Sequence, residues 1–307
     1  MSEAKRRGPL ERFLSLFADL QPSEGANVIL MFANIFLVLT AYYVLKVVRE
    51  SLTLGGVELF GLGGDEIKAY LPAVMTVLLL GVVPLYGAVA SAVSRIRLIN
   101  GTTLIVMGTL VLFWLWGRAT GVGTAIGLSF YVYIGIVNVF LIAQFWSFAN
   151  DIYTESEGKR LFAVIAIGQS LGAVFGPKIA GKGADDVFLL LLVSAGIFAV
   201  CLLLYNVINS RVGREQAEKE GGGDEAGKPL EKGGGFQLVL TNRYLLLIAC
   251  MVLVSNLVNT TGEYILSNAA LTHAEEQVPS LPASAEAAVD AKAKQAVPHG
   301  TAATRQV

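Results

Sequence analysis

Seven stretches of this chain carry no charged residue, and each is about long enough to cross a bilayer. They run over 25–45, 69–94, 98–117, 119–150, 161–177, 187–210 and 244–262. A helix needs about 20 predominantly apolar residues to span the hydrocarbon layer. Inside that layer every backbone N–H and C=O has to find its partner within the protein, so such stretches are read as helices. A soluble protein could bury one helix of this kind, but not seven in series. Charged residues make up 15% of the chain, against about 25% in a soluble domain, and the deficit falls in these stretches. The expected fold class is an all-α membrane protein.

Lysine and arginine set the orientation. With the N-terminus inside, the inner segments carry Lys5, Arg6, Arg7 and Arg12, then Arg95 and Arg97, then Lys159 and Arg160, then Arg211 to Arg243. The outer segments carry only Lys68, Arg118, Lys178 and Lys182, with Arg49 at a helix end. The bias predicts a cytoplasmic N-terminus. Residues 1–24 place Leu10, Phe13, Leu14, Phe17 and Leu20 at helical spacing beside arginines, the pattern of an amphipathic helix on the membrane surface.

Residues 25–210 hold six spans. Residues 211–243 are charged, contain Gly-Gly-Gly twice and show no apolar period, the pattern of a flexible cytoplasmic linker. A seventh span occupies 244–266, and 267–307 form a polar tail expected to be disordered. Six spans, a long linker and further spans is the plan of major facilitators, which have two six-helix halves. The expectation is a major-facilitator-like six-helix bundle plus one further transmembrane helix, in a chain truncated early in its second half.

Charge inside a span is costly and points to function. At the end of the first span, Tyr42, Lys46 and Arg49 share one face, with Asn34 beside it and Glu50 next in line. Two cations there suit an anionic substrate. They also suit snorkelling to the headgroups with Glu50 as partner. The fourth span places Tyr133, Gln144, Ser147 and Asp151 on one face, fit for a polar pathway or for hydrogen bonds between helices. In the fifth, Gly168, Gly172 and Gly176 recur every four residues, which favours close helix packing. In the seventh, Asn256, Asn259, Thr260 and Glu263 form a stripe that has to face protein or water. Glu263 sits near the outer end of its span, at the same depth as Lys46 and Arg49, so an outer ionic gate between Glu263 and Lys46 or Arg49 is expected.

Several chemistries drop out. The two histidines, His273 and His299, both lie in the tail, and Cys201 and Cys250 lie inside apolar stretches. No metal spacing and no nucleophile–base pair is present, so neither cofactor nor enzyme activity is expected. Residues 176–183 mimic a phosphate loop, but Gly183 stands where the hydroxyl residue belongs, and the segment follows a membrane helix. Nothing points to nucleic acid.

The run Leu45-Lys46-Val47-Val48-Arg49-Glu50-Ser51-Leu52 resembles the first-span motif of bacterial and plastid ATP/ADP translocases. Phe145-Trp146-Ser147-Phe148-Ala149-Asn150-Asp151, followed by Thr154, Glu157, Lys159 and Arg160, is similar to the end of that family's fourth span and its inner loop. Gly168-Gln169-Ser170-Leu171-Gly172 is similar to a Gly-rich stretch of that family's fifth span, and Gly87 followed by Ser94-Arg95-Ile96-Arg97 more weakly resembles the loop after span two in facilitators. The acid often found in the family's mid fourth span is absent from Tyr133-Ile134-Gly135. The resemblance, over roughly residues 24–266, implies a facilitator-type antiporter of the inner (plasma) membrane, exchanging ATP for ADP without a cofactor. It implies that Arg49 contacts nucleotide phosphates, flanked by Lys46 and Glu50. Tyr42, Gln144, Asn256 and Asn259 join Lys46 and Arg49 as candidate substrate-binding residues, and Glu50, Asp151 and Glu263 as candidate ion-pair residues. The alternatives are a carrier of a different anionic solute, a non-transporting membrane subunit, or an inactive fragment.

Overall fold

The computed structural model describes residues 25–59, 64–183, 186–220 and 239–277. These form helices α1 (Gly25–Gly56), α2 (Gly64–Ala90), α3 (Arg95–Thr120), α4 (Thr124–Ile152), α5 (Glu155–Lys182), α6 (Leu189–Glu220) and α7 (Arg243–Gln277). Among the described residues, six helices are long and apolar enough to cross a membrane, α1 to α6. This is an all-α membrane protein. The apolar part of α7 that is described, Arg243–Asn259, is shorter than a span. The amphipathic leader, residues 221–238 of the linker and the tail beyond 277 lie outside the described residues.

The helices overrun the charge-free stretches. α6 continues to Glu220 through Arg211 and Arg214. Charged Arg, Glu and Lys are good helix formers, so charge marks where a helix leaves hydrocarbon, not where it stops.

The chain divides into two units, Met1–Gly234 and Gly235–Val307. In the first, α1 is the central helix. It packs most extensively on α5, then on α6 and α4, while α3 packs on α6. Its buried residues include Val28, Met31, Ile35, Val38, Leu45, Val48 and Leu52, which join Phe130, Phe145, Leu161 and Phe198 in one core.

The glycine repeat of α5 makes the tightest seam. A β-carbon on Gly168 would stand 2.7 Å from the Phe32 carbonyl oxygen, and one on Gly176 would stand 2.8 Å from that of Thr40. The contacts advance along both helices together, so α1 and α5 run in the same direction. Small residues here let backbone meet backbone, as the spacing suggests.

Helix α2 is different. Only 6% of its spanning window is buried, and Tyr70, Val77, Leu80 and Leu85 are exposed. It is fixed at its start, where Ile67 and Leu71 cluster with Val57 and Tyr131.

The second unit holds α7. Asn256 donates from Nδ2 to the Val252 carbonyl at 3.1 Å, and Thr261 donates to that of Leu257 at 2.8 Å. Both bonds stay within the helix, the usual way such side chains are satisfied in hydrocarbon.

Candidate functional site

Alternating helix direction sorts the polar residues of the first unit to two ends. At the end where α1 starts, Arg211 donates to Asn27 Oδ1 at 3.3 Å, tying the end of α6 to the start of α1. At the end where α1 finishes, Thr124 bonds the backbone of Glu58, and Arg118 pairs with Asp186 at 3.2 Å. The two charged clusters of interest lie one at each end.

The first cluster is built at the end of α1. Arg49 lies 13% exposed, with its guanidinium carbon 4.5 Å from the centre of the Tyr131 ring of α4. One terminal nitrogen meets Glu50 Oε1 at 2.7 Å, and Lys68 Nζ meets Glu50 Oε2 at 2.5 Å. Arg49 Nε is buried and donates to nothing. An unused donor away from water is costly, so an acceptor that reached Nε would relieve it. Lys46 Nζ lies 5.7 Å from the centre of the Tyr43 ring, and Tyr42 stacks edge-on against Tyr43 at 5.3 Å. Asn34, on the same side by sequence, turns to α6 and donates to the Cys201 carbonyl at 3.4 Å.

The structure thus brings Tyr42, Lys46, Arg49 and Glu50 to one end of α1. It adds two residues that the sequence did not single out. In the sequence Lys68 stands out only as an outer-loop charge, and Tyr131 is one more uncharged residue of the fourth stretch, two positions before Tyr133. No local spacing signals either one, because their positions depend on how α2 and α4 fold back on α1.

The second cluster joins α3 to α4. Arg95 meets Asp151 Oδ2 at 2.7 Å and also donates to the Ser147 hydroxyl and carbonyl, at 2.5 and 2.8 Å. Further along the same face, Gln144 exchanges hydrogen bonds with the Thr102 hydroxyl at 3.0 and 2.7 Å. Tyr133 donates to the Val106 carbonyl at 3.3 Å. All four polar residues of α4 face α3, so the stripe is a hydrogen-bonded seam. Below it, Thr154 and Glu157 cap α5 reciprocally: the Thr154 N–H donates to Glu157 at 2.8 Å, and the Glu157 N–H donates back at 3.4 Å.

Asn256 and Asn259 lie along α7, while the side chains of Thr260 and Glu263 are outside the described residues. The expected pairing of Glu263 with Lys46 or Arg49 therefore falls outside them too.

Residues 128–265, a little under half of the chain, match the family described as TLC ATP/ADP transporter. Over that segment the chain is similar to the ATP/ADP translocase family. The match runs from α4 into α7, so it contains Tyr131, Asp151 and the glycine seam of α5, whereas Lys46, Arg49 and Lys68 precede it. No curated protein and no solved structure shows significant similarity to the chain. The likeness is to a family of transporters, and it falls in a chain whose described residues include six helices long and apolar enough to cross a membrane.

Proposed function

We propose that the chain is a nucleotide antiporter that exchanges ATP for ADP, with the polyphosphate held by Lys46, Arg49 and Tyr42. The observation that carries this reading is Arg49. It is a nearly buried guanidinium stacked on Tyr131, with Nε unused and a neighbouring carboxylate on one arm only. Arginine presents a planar fork that matches phosphate oxygens in pairs. A ring behind it keeps the fork in place.

In this reading the two clusters sit at opposite ends of the path. The Arg49–Glu50–Lys68 group lies outside and the Arg95–Asp151 pair inside, as the lysine and arginine bias suggests, with the protein in the inner membrane of a cell. Opening one end while the other stays closed gives alternating access. Gln144 is engaged by Thr102 and supports the wall rather than the ligand. Exchange needs no hydrolysis, so no metal or general base is called for.

The test is uptake of labelled ATP and ADP into proteoliposomes preloaded with either nucleotide, with Arg49→Ala alongside. The reading expects exchange by the parent protein and a fall of at least tenfold in the variant, the scale of losing a charge-assisted bond of about 1.5–3 kcal/mol. A parent protein that leaves both nucleotides outside the vesicles overturns it.

A further inference from the structure

One carboxylate at the end of α1 is shared by cations from two helices. Glu50 Oε1 meets Arg49 and Glu50 Oε2 meets Lys68, at 2.7 and 2.5 Å. The two cations are therefore no farther apart than one carboxylate can bridge. Beside them Ile67 and Leu71 pack with Val57 and with Tyr131, the same ring that backs Arg49. Lys68 thus stands on the best-anchored turn of α2, a helix whose span is otherwise only 6% buried. Its position relative to Arg49 is held by packing as well as by charge.

The charge balance is uneven. Arg49 and Lys68 bring two positive charges and Glu50 one negative, with Lys46 one turn away on α1 and no acid in an ion pair with it among the described residues. A single carboxylate also leaves Arg49 Nε unused. A pyrophosphate group has more charge and more oxygens than a carboxylate, so it satisfies this set more fully. Glu50 is 28% exposed and Lys68 38%, so the carboxylate can turn to water when displaced.

We infer that Lys68 is a third substrate-binding cation and that Glu50 is its resident counter-ion. In the empty carrier Glu50 holds Arg49 and Lys68 together. A polyphosphate displaces it, takes both cations, and in doing so undoes the bridge that ties the start of α2 to α1. The nature of the anion rests on the nucleotide reading above, whereas the three-residue arrangement is independent of it.

The experiment uses the full chain in liposomes and detergent, with Lys68→Gln, Lys68→Arg and Glu50→Gln. Exchange of AMP, ADP and ATP is measured, and protection against thermal unfolding is titrated with inorganic pyrophosphate. Because Lys68 is partly exposed, solvent screening reduces the expected effect to a rise of roughly three- to tenfold in KM for ADP in Lys68→Gln. The rise is larger for ATP than for AMP, kcat changes little, and Lys68→Arg recovers most of it. Glu50→Gln removes the competing carboxylate and lowers the pyrophosphate midpoint. If the parent exchanges nucleotides and Lys68→Gln keeps its KM, the inference falls and the carrier stands. If the parent exchanges none but pyrophosphate protects it in a Lys68-dependent way, the inference stands and the nucleotide reading falls. Absence of both exchange and protection in the parent overturns the two together.

Discussion

Gly172 lies against the carbonyl oxygen of Phe36, such that a β-carbon on it would stand 2.6 Å from that oxygen and 2.8 Å from the Leu39 β-carbon. The oxygen belongs to the backbone of α1 and has little room to yield. Gly172→Ala should therefore lower thermal stability in detergent, by roughly 1–3 kcal/mol as for other overpacked sites, and Gly172→Leu by more. Gly101 on α3 has nothing within 4 Å of its β-position. Gly101→Ala should be neutral or slightly stabilising, because alanine favours helix. Equal losses at both positions would sink the seam as the cause.

The Tyr131 ring sits 4.5 Å from the Arg49 guanidinium. Tyr131→Phe keeps that face and should leave nucleotide exchange within about twofold. Tyr131→Leu removes it and should raise KM by roughly three- to tenfold, the range of a partly desolvated cation–π contact of about 0.5–2 kcal/mol. Arg49→Lys should behave more like Arg49→Ala than like the parent, since an ammonium lacks the planar fork. Transport kinetics of the four variants decide the point.

Arg95 and Asp151 close the far end of the α3–α4 seam at 2.7 Å, with exposures of 13% and 37%. A double-mutant cycle with Arg95→Gln and Asp151→Asn should give a coupling of about 1 kcal/mol, limited by the exposure of the acid. Asp151→Asn alone leaves Arg95 its Ser147 bonds and should cost less than Arg95→Gln. Chemical unfolding of the purified protein measures both. Additive losses would show that the pair is not coupled.

Thr102 holds the Gln144 amide at both its oxygen and its nitrogen, and Tyr86 of α2 hydrogen-bonds the same residue. Thr102→Val should cost about 0.6–1 kcal/mol, the usual worth of a polar contact between membrane helices. Gln144→Met should then cost less in the Thr102→Val background than in the parent, because the stranded amide leaves with it. The same unfolding assay reads it, and an equal cost in both backgrounds argues against the contact.

Legibility varied with range along the chain. Spans could be read because hydrocarbon forces every backbone group to be paired within a helix, which fixes a minimum length. The α5 seam could be read because small residues four apart share one face. The shared face of Tyr133, Gln144, Ser147 and Asp151 could be read too, but not that it turns to α3, since periodicity says nothing about which neighbour a face meets. Lys68 and Tyr131 escaped for the same reason: each reaches Arg49 or Glu50 from another helix. The end of α6 escaped because charged residues mark the water boundary without breaking the helix.

The packing of α1 sets a problem for biosynthesis. Its principal partner, α5, lies behind three intervening helices. At common rates of translation the ribosome needs on the order of ten seconds to reach it. Through that interval α1 has to rest in lipid with its inner face uncovered, carrying Asn34, Thr40 and Lys46 with it. A nearly all-round apolar surface makes such a wait tolerable. Mutations that spare the finished protein but add polarity to α1 would then show first as poor membrane insertion of the nascent chain.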